Sequence, residues 1–100
     1  MNMPTSRDYH SYLIESLKDP QEAAAYLEAV LEDGTSDELH LALKNVAEAQ
    51  IATMNDHQIT NHQEIIRHIS EQSELNISSL LKTLDEMGFK LTITPKQPVL

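Results

Sequence analysis

From Thr35 to Met87 the chain contains neither glycine nor proline, and this gap constrains the fold more than any other feature. A β protein needs turn residues about every 8–12 positions. Its two glycines, Gly34 and Gly88, bracket the gap, and its prolines, Pro4, Pro20, Pro95 and Pro98, lie outside it. The expected class is therefore all-α, with five to six short helices and one short C-terminal β-strand. At 100 residues and 40% apolar composition, the chain should form a single domain that buries roughly two thirds of its unfolded surface.

Local chemistry divides the chain. Residues 1–8 are expected to be a flexible N-terminus, 9–94 one helical domain and 95–100 a flexible tail. A first helix from Asp8 is predicted with Tyr9, Tyr12, Leu13 and Leu17 as its apolar side, and it stops before Asp19-Pro20. Asp19 then caps a second helix, with Pro20 in its first position and Glu22 placed for a capping box. Gly34 is expected to end that helix in the left-handed cap position. Thr35 or Ser36 caps a third helix whose inward face is Leu39, Leu43, Val46 and Ala47, with Ala42 beside them. That helix ends near Gln50, or continues to about Asp56, or gives way to a separate short helix from Ala49 to Asp56. Thr60 and Gln63 form a further capping-box pattern, which places a short helix at Asn61 to Ile69. After a loop from Ser70 to Asn76, a last helix carries Ile77, Leu80, Leu81, Leu84 and Met87 on one face and stops at Gly88. Phe89, Leu91 and Ile93 alternate with polar residues as a strand would. A lone strand leaves its backbone unpaired, so its expected partner is the same strand of a second copy, antiparallel across a two-fold axis.

The net charge is −9, which opposes non-specific affinity for nucleic acid. Residues 1–50 hold ten acids against Arg7, Lys18 and Lys44, a balance of −7, and the second half carries only −2. Two surfaces with different partners are one account of this asymmetry; an acidic face that aids solubility is the other. No cysteine is present, so neither disulfides nor thiolate metal sites arise. No apolar run suits a membrane span, and the N-terminus does not read as a signal peptide, so a cytoplasmic chain is expected.

The runs SYLIESLKDPQEAAAYLEAVLEDG and LALKNVAEA, from Ser11 to Ala49, and ISSLLKTLDEMGFKL, from Ile77 to Leu91, closely resemble the addiction-module antidote family. These are HigA-like antitoxins with a lambda-repressor-type helix-turn-helix DNA-binding unit. The resemblance spans about Ser11 to Thr94. It implies a helix-turn-helix at about 50–70 and a dimeric transcriptional regulator that represses its own operon as the antitoxin of a type II toxin-antitoxin module. The implied partners are operator DNA and a small basic toxin, RelE-like or HigB-like. Family members usually carry a Gly-Leu pair in the turn before the recognition helix, where this chain has Ile59-Thr60. Isoleucine is a steric outlier in a left-handed turn, so that turn must be built differently or be missing.

Candidate sites follow from these readings. Thr60, Asn61, His62, Gln63 and Arg67 are the expected DNA-binding residues, because Asn and Gln can bond adenine in two places and Arg can bond guanine or phosphate. A solvated helix face is the competing account. Glu15, Glu22, Glu28, Glu32 and Asp33 are the expected electrostatic surface for a basic toxin. Phe89, Leu91 and Ile93 are the expected dimer contacts. His62 and His68 stand roughly 240° apart round a helix, so they do not share an ion, and neither metal nor cofactor is expected. With no glycine-rich phosphate loop and no nucleophile elbow, catalysis is not expected. The alternative function is a protein-binding module whose helix-turn-helix no longer reads DNA.

Overall fold

The computed structural model describes residues 6–71 and 76–95, with side chains for all of these except 6–8 and 56–58. Five helices lie among the described residues: α1 (Ser6–Leu17), α2 (Pro20–Asp33), α3 (Ser36–Ile51), α4 (Asp56–Glu71) and α5 (Ile77–Glu86). The all-α class is observed. Residues 1–5, 72–75 and 96–100, which include most of both expected flexible ends, lie outside the described residues.

α3 is the central element, packed against α1, α2 and α4. Its sequence explains why. Ala42, Leu43, Val46, Ala47 and Ala49 are all fully buried, and three alanines among them let neighbouring helices approach from more than one side. The Thr35 hydroxyl accepts from Glu38 N while the Glu38 carboxylate accepts from Thr35 N, both at 3.2 Å, completing the expected capping box. α3 ends at Ile51 without a glycine. Thr53 supplies the stop: its N–H and hydroxyl both bond the Gln50 carbonyl, at 3.0 and 2.9 Å. Neither the extension to Asp56 nor a separate helix over Ala49–Asp56 is formed.

α1 starts at Ser6 rather than Asp8 and buries a different stripe from the one its spacing suggested. Leu17 is buried and Leu13 and Ile14 pack against the core, but Tyr9 and Tyr12 are exposed. Once Ile14 joins the stripe the reason is geometric: Tyr12 stands about 140° round the helix from Leu17, and Tyr9 about 80°. His10 falls within the stripe, and its Nε2 meets Glu48 Oε2 of α3 at 3.0 Å.

α2 is capped as expected by Asp19, whose carboxylate accepts from Gln21 N at 2.9 Å. Gly34 is extended, at φ −86°, instead of left-handed. Glycine is still required there: its N–H bonds Val30 O at 2.7 Å, and a Cβ would lie 2.6 Å from that same oxygen. Gly88 is the left-handed cap, at φ 88°. Phe89 N bonds Leu84 O at 2.8 Å and Gly88 N bonds Asp85 O at 3.0 Å, which is the Schellman arrangement. Asn76 caps the other end of α5 through Ser79 N at 2.8 Å.

One expectation about the second half is corrected, and another is not shown. The short helix at Asn61–Ile69 is part of a longer one, α4, that begins at Asp56 and runs through Ile59 and Thr60. No described residue other than glycine has positive φ. The steric objection to isoleucine in a left-handed turn is met by dispensing with the turn. The C-terminal strand is not shown: residues 89–95 carry no regular secondary structure. A strand needs a ladder partner for its backbone groups, and the expected one belongs to a second copy. On α5 the buried face is Leu80, Thr83, Leu84 and Met87, and Ile77 and Leu81 face solvent.

Candidate nucleic-acid and protein interfaces

α4 is strongly amphipathic because Ile65 and Ile69 enter the core while Ile66 packs at its edge. This fixes which of the expected DNA-reading side chains point outward. Thr60, Asn61, Gln63 and Arg67 are exposed. His62 is not: it is 6% exposed. Its Nε2 lies 2.7 Å from Gln50 Oε1, and Gln50 Nε2 donates to the Met87 carbonyl at 2.9 Å. An amide oxygen only accepts, so the imidazole nitrogen facing it carries the proton. One glutamine therefore links α3, α4 and the C-terminus of α5. His62 is withdrawn from the groove-reading set, since its polar edge is committed to this internal chain.

Charge on the outer face of α4 is mixed. Arg67 is paired with Glu64, three residues earlier on the same helix. Thr60, Glu64, Arg67 and Glu71 follow one another at helical spacing and are all exposed, so carboxylates flank the guanidinium on both sides. Beside it, a groove of about 200 Å³ between α4 and α5 is lined by Arg67, His68 and Lys82 together with Glu64, Glu71 and Glu86. Such a surface offers hydrogen-bonding groups to bases but only a weak field for phosphates.

The carboxylates expected to meet a basic partner are all exposed. Glu22, Glu28, Glu32 and Asp33 are exposed on α2, and Glu15 is exposed on α1, where Lys18 Nζ approaches it at 2.7 Å. Of the expected dimer contacts, Phe89 is drawn into the edge of the core by the Gly88 cap. Leu91 and Ile93 are exposed, Ile93 at 97%. With Ile77 and Leu81 they give the C-terminal end several exposed apolar side chains, among Lys82, Asp85, Glu86 and Lys90, whose charges cancel.

The structure also brings out residues that sequence reasoning missed. Gln50 was visible only as a polar residue near a helix end, and its partners lie 12 and 37 positions away. The exposure of Tyr9 and Tyr12 was legible in principle, from the competing stripe of Leu13, Ile14 and Leu17.

Among the described residues no helix is long and apolar enough to cross a membrane. No curated protein and no solved structure matches the chain significantly. A family model does, the one described as "Probable addiction module antidote protein", over residues 9–95. That span takes in all of α2 to α5 and most of α1. The chain belongs to the addiction module antidote family, the antitoxin partners of toxin-antitoxin pairs.

Proposed function

We propose that this chain neutralises a small basic toxin, RelE-like or HigB-like, by direct binding through its acidic N-terminal half, in the cytoplasm and as a homodimer. The observation that carries this reading is the family match over residues 9–95. The exposed carboxylates Glu15, Glu22, Glu28, Glu32 and Asp33 add to it. Carboxylates on a helical scaffold steer a cationic partner into encounter and disfavour anionic ones. The dimer reading rests on the electrically neutral C-terminal end: two copies of a chain of net charge −9 repel least where Leu91, Ile93, Ile77 and Leu81 are exposed. The test is growth. A small basic reading frame is expected beside this gene; its expression should arrest cells, and co-expression of this chain should release them, whereas a harmless neighbour, or an arrest that persists, overturns the reading.

Autorepression by DNA binding is the second reading, favoured by the exposure of Thr60, Asn61, Gln63 and Arg67 on α4. α3, the Ala52–Asn55 turn and α4 would act as the helix-turn-helix, with α4 entering the major groove. Glu64 and Glu71 on the same face make weak, strongly salt-dependent binding the expectation. Fluorescence anisotropy of the upstream duplex beside a scrambled one is decisive. Equal binding to both would leave toxin neutralisation as the whole function.

A further inference from the structure

Aromatic side chains are scarce in this protein: three tyrosines, one phenylalanine and no tryptophan. Two serve the core. Phe89 packs at its edge, and the half-buried Tyr26 accepts a hydrogen bond at its hydroxyl from Asn45 Nδ2 at 3.1 Å. The other two, Tyr9 and Tyr12, are 61% and 74% exposed. They stand three residues apart, so their rings are neighbours on α1. Leaving two such rings in water forgoes apolar burial that a domain this small could use. Tyrosine is also among the side chains most enriched at the centres of binding interfaces.

Their surroundings specify the partner. Glu15 follows Tyr12 by three residues on α1, and its side chain remains 73% exposed although Lys18 lies 2.7 Å away. Glu48 of α3 reaches α1 at His10, one residue after Tyr9 in sequence but about 100° further round the helix, with 52% of its side chain exposed. Both belong to the half of the chain whose balance is −7. The exposed apolar residues on α5, Ile77 and Leu81, belong instead to the half whose balance is −2. Aromatic rings in the more acidic half, with an exposed carboxylate beside Tyr12, suit a cation.

We propose that Tyr9 and Tyr12 are the anchor of the partner-binding surface, their π faces receiving arginine or lysine side chains of a basic protein while Glu15, one turn from Tyr12, takes up the positive charge. This rests on the antitoxin reading and identifies where the toxin is gripped. Aromatic faces and carboxylates attract the same guanidinium or ammonium group, so the pairing gains from both interactions at once.

Calorimetric titration of the full chain with a small basic toxin, one whose growth arrest it relieves, tests this. Replacing both rings (Tyr9→Ala with Tyr12→Ala) should raise Kd by about 30-fold or more, the size of an interface anchor. The Tyr9→Phe, Tyr12→Phe pair, which keeps the π faces, should stay within about threefold of wild type. Both pairs should melt with the wild-type chain in circular dichroism, because neither ring is buried. Should the alanine pair prove unfolded, Tyr12→Ala alone, at the more exposed site, should still weaken binding by about tenfold. If the wild-type chain binds and the alanine variant binds equally well, the anchor assignment is wrong and the antitoxin reading stands. If the phenylalanine pair is as weak as the alanine pair, hydroxyl contacts replace the proposed ring contacts. If the wild-type chain does not bind at all, the antitoxin reading fails and takes this inference with it.

Discussion

Gln50 has more consequence than any exposed residue on α4, because it satisfies a buried imidazole and a main-chain carbonyl at once. Truncation to alanine would leave the His62 Nε2–H and the Met87 carbonyl without that partner in a partly buried setting. Gln50→Ala is therefore expected to lower unfolding free energy by about 1–3 kcal/mol, the cost of stranding buried polar groups. Gln63→Ala, at an exposed site on the next helix, should stay within about 0.5 kcal/mol of wild type. Urea denaturation of the two variants checks the contrast, and equal midpoints would mean that the bridge has no energetic role. The same bridge explains why His62 was misjudged. Sequence spacing located it on the helix but said nothing of Gln50, which comes to it from α3.

At the scale of elements, α4 is where the chain dispenses with the turn that its resemblance placed at Ile59-Thr60. Ile59 is half-buried and helical, and its amide bonds the Asn55 carbonyl at 3.1 Å. If this backbone is helical, Ile59→Gly should destabilise the protein by at least about 1 kcal/mol, from helix propensity alone before lost packing is counted. Were a left-handed turn present instead, glycine would relieve strain and raise the melting temperature, so the sign of the shift decides. Other elements were legible because their signals are local. Asp19, Thr35, Asn76 and Gly88 each act within a few residues of themselves, so the starts of α2, α3 and α5 and the end of α5 could be read directly. The apolar stripe of α1 was not, because Leu13 and Leu17 fit two helical patterns, one through Tyr9 and Tyr12 and one through Ile14. Only the packing of α1 against α3 chooses between them. The strand expected at Phe89–Thr94 is not shown, for a related reason: alternation marks a segment able to pair, and the pairing expected is with a second copy.

On the scale of the whole molecule, charge is divided more sharply than apolar surface. The half with balance −7 contains α1, α2 and nearly all of α3, and the half with −2 contains α4 and α5. This division has a kinetic consequence if the acidic half meets a basic protein. Long-range attraction accelerates encounter and is screened beyond a Debye length of about 8 Å at physiological salt. Glu28 and Glu32 are exposed, one turn apart on α2, and no ion pair involving either is observed among the described residues. Reversing both, as Glu28→Lys with Glu32→Lys, changes the net charge from −9 by four units without disturbing the core. The association rate with the basic toxin should then fall by about tenfold at low salt, with the dissociation rate altered much less. Raising the salt should bring the two proteins' association rates together, because screening removes the advantage that the carboxylates confer. Stopped-flow association at low and high salt separates steering from contact. A loss confined to the dissociation rate and insensitive to salt would instead mean that Glu28 and Glu32 touch the partner directly.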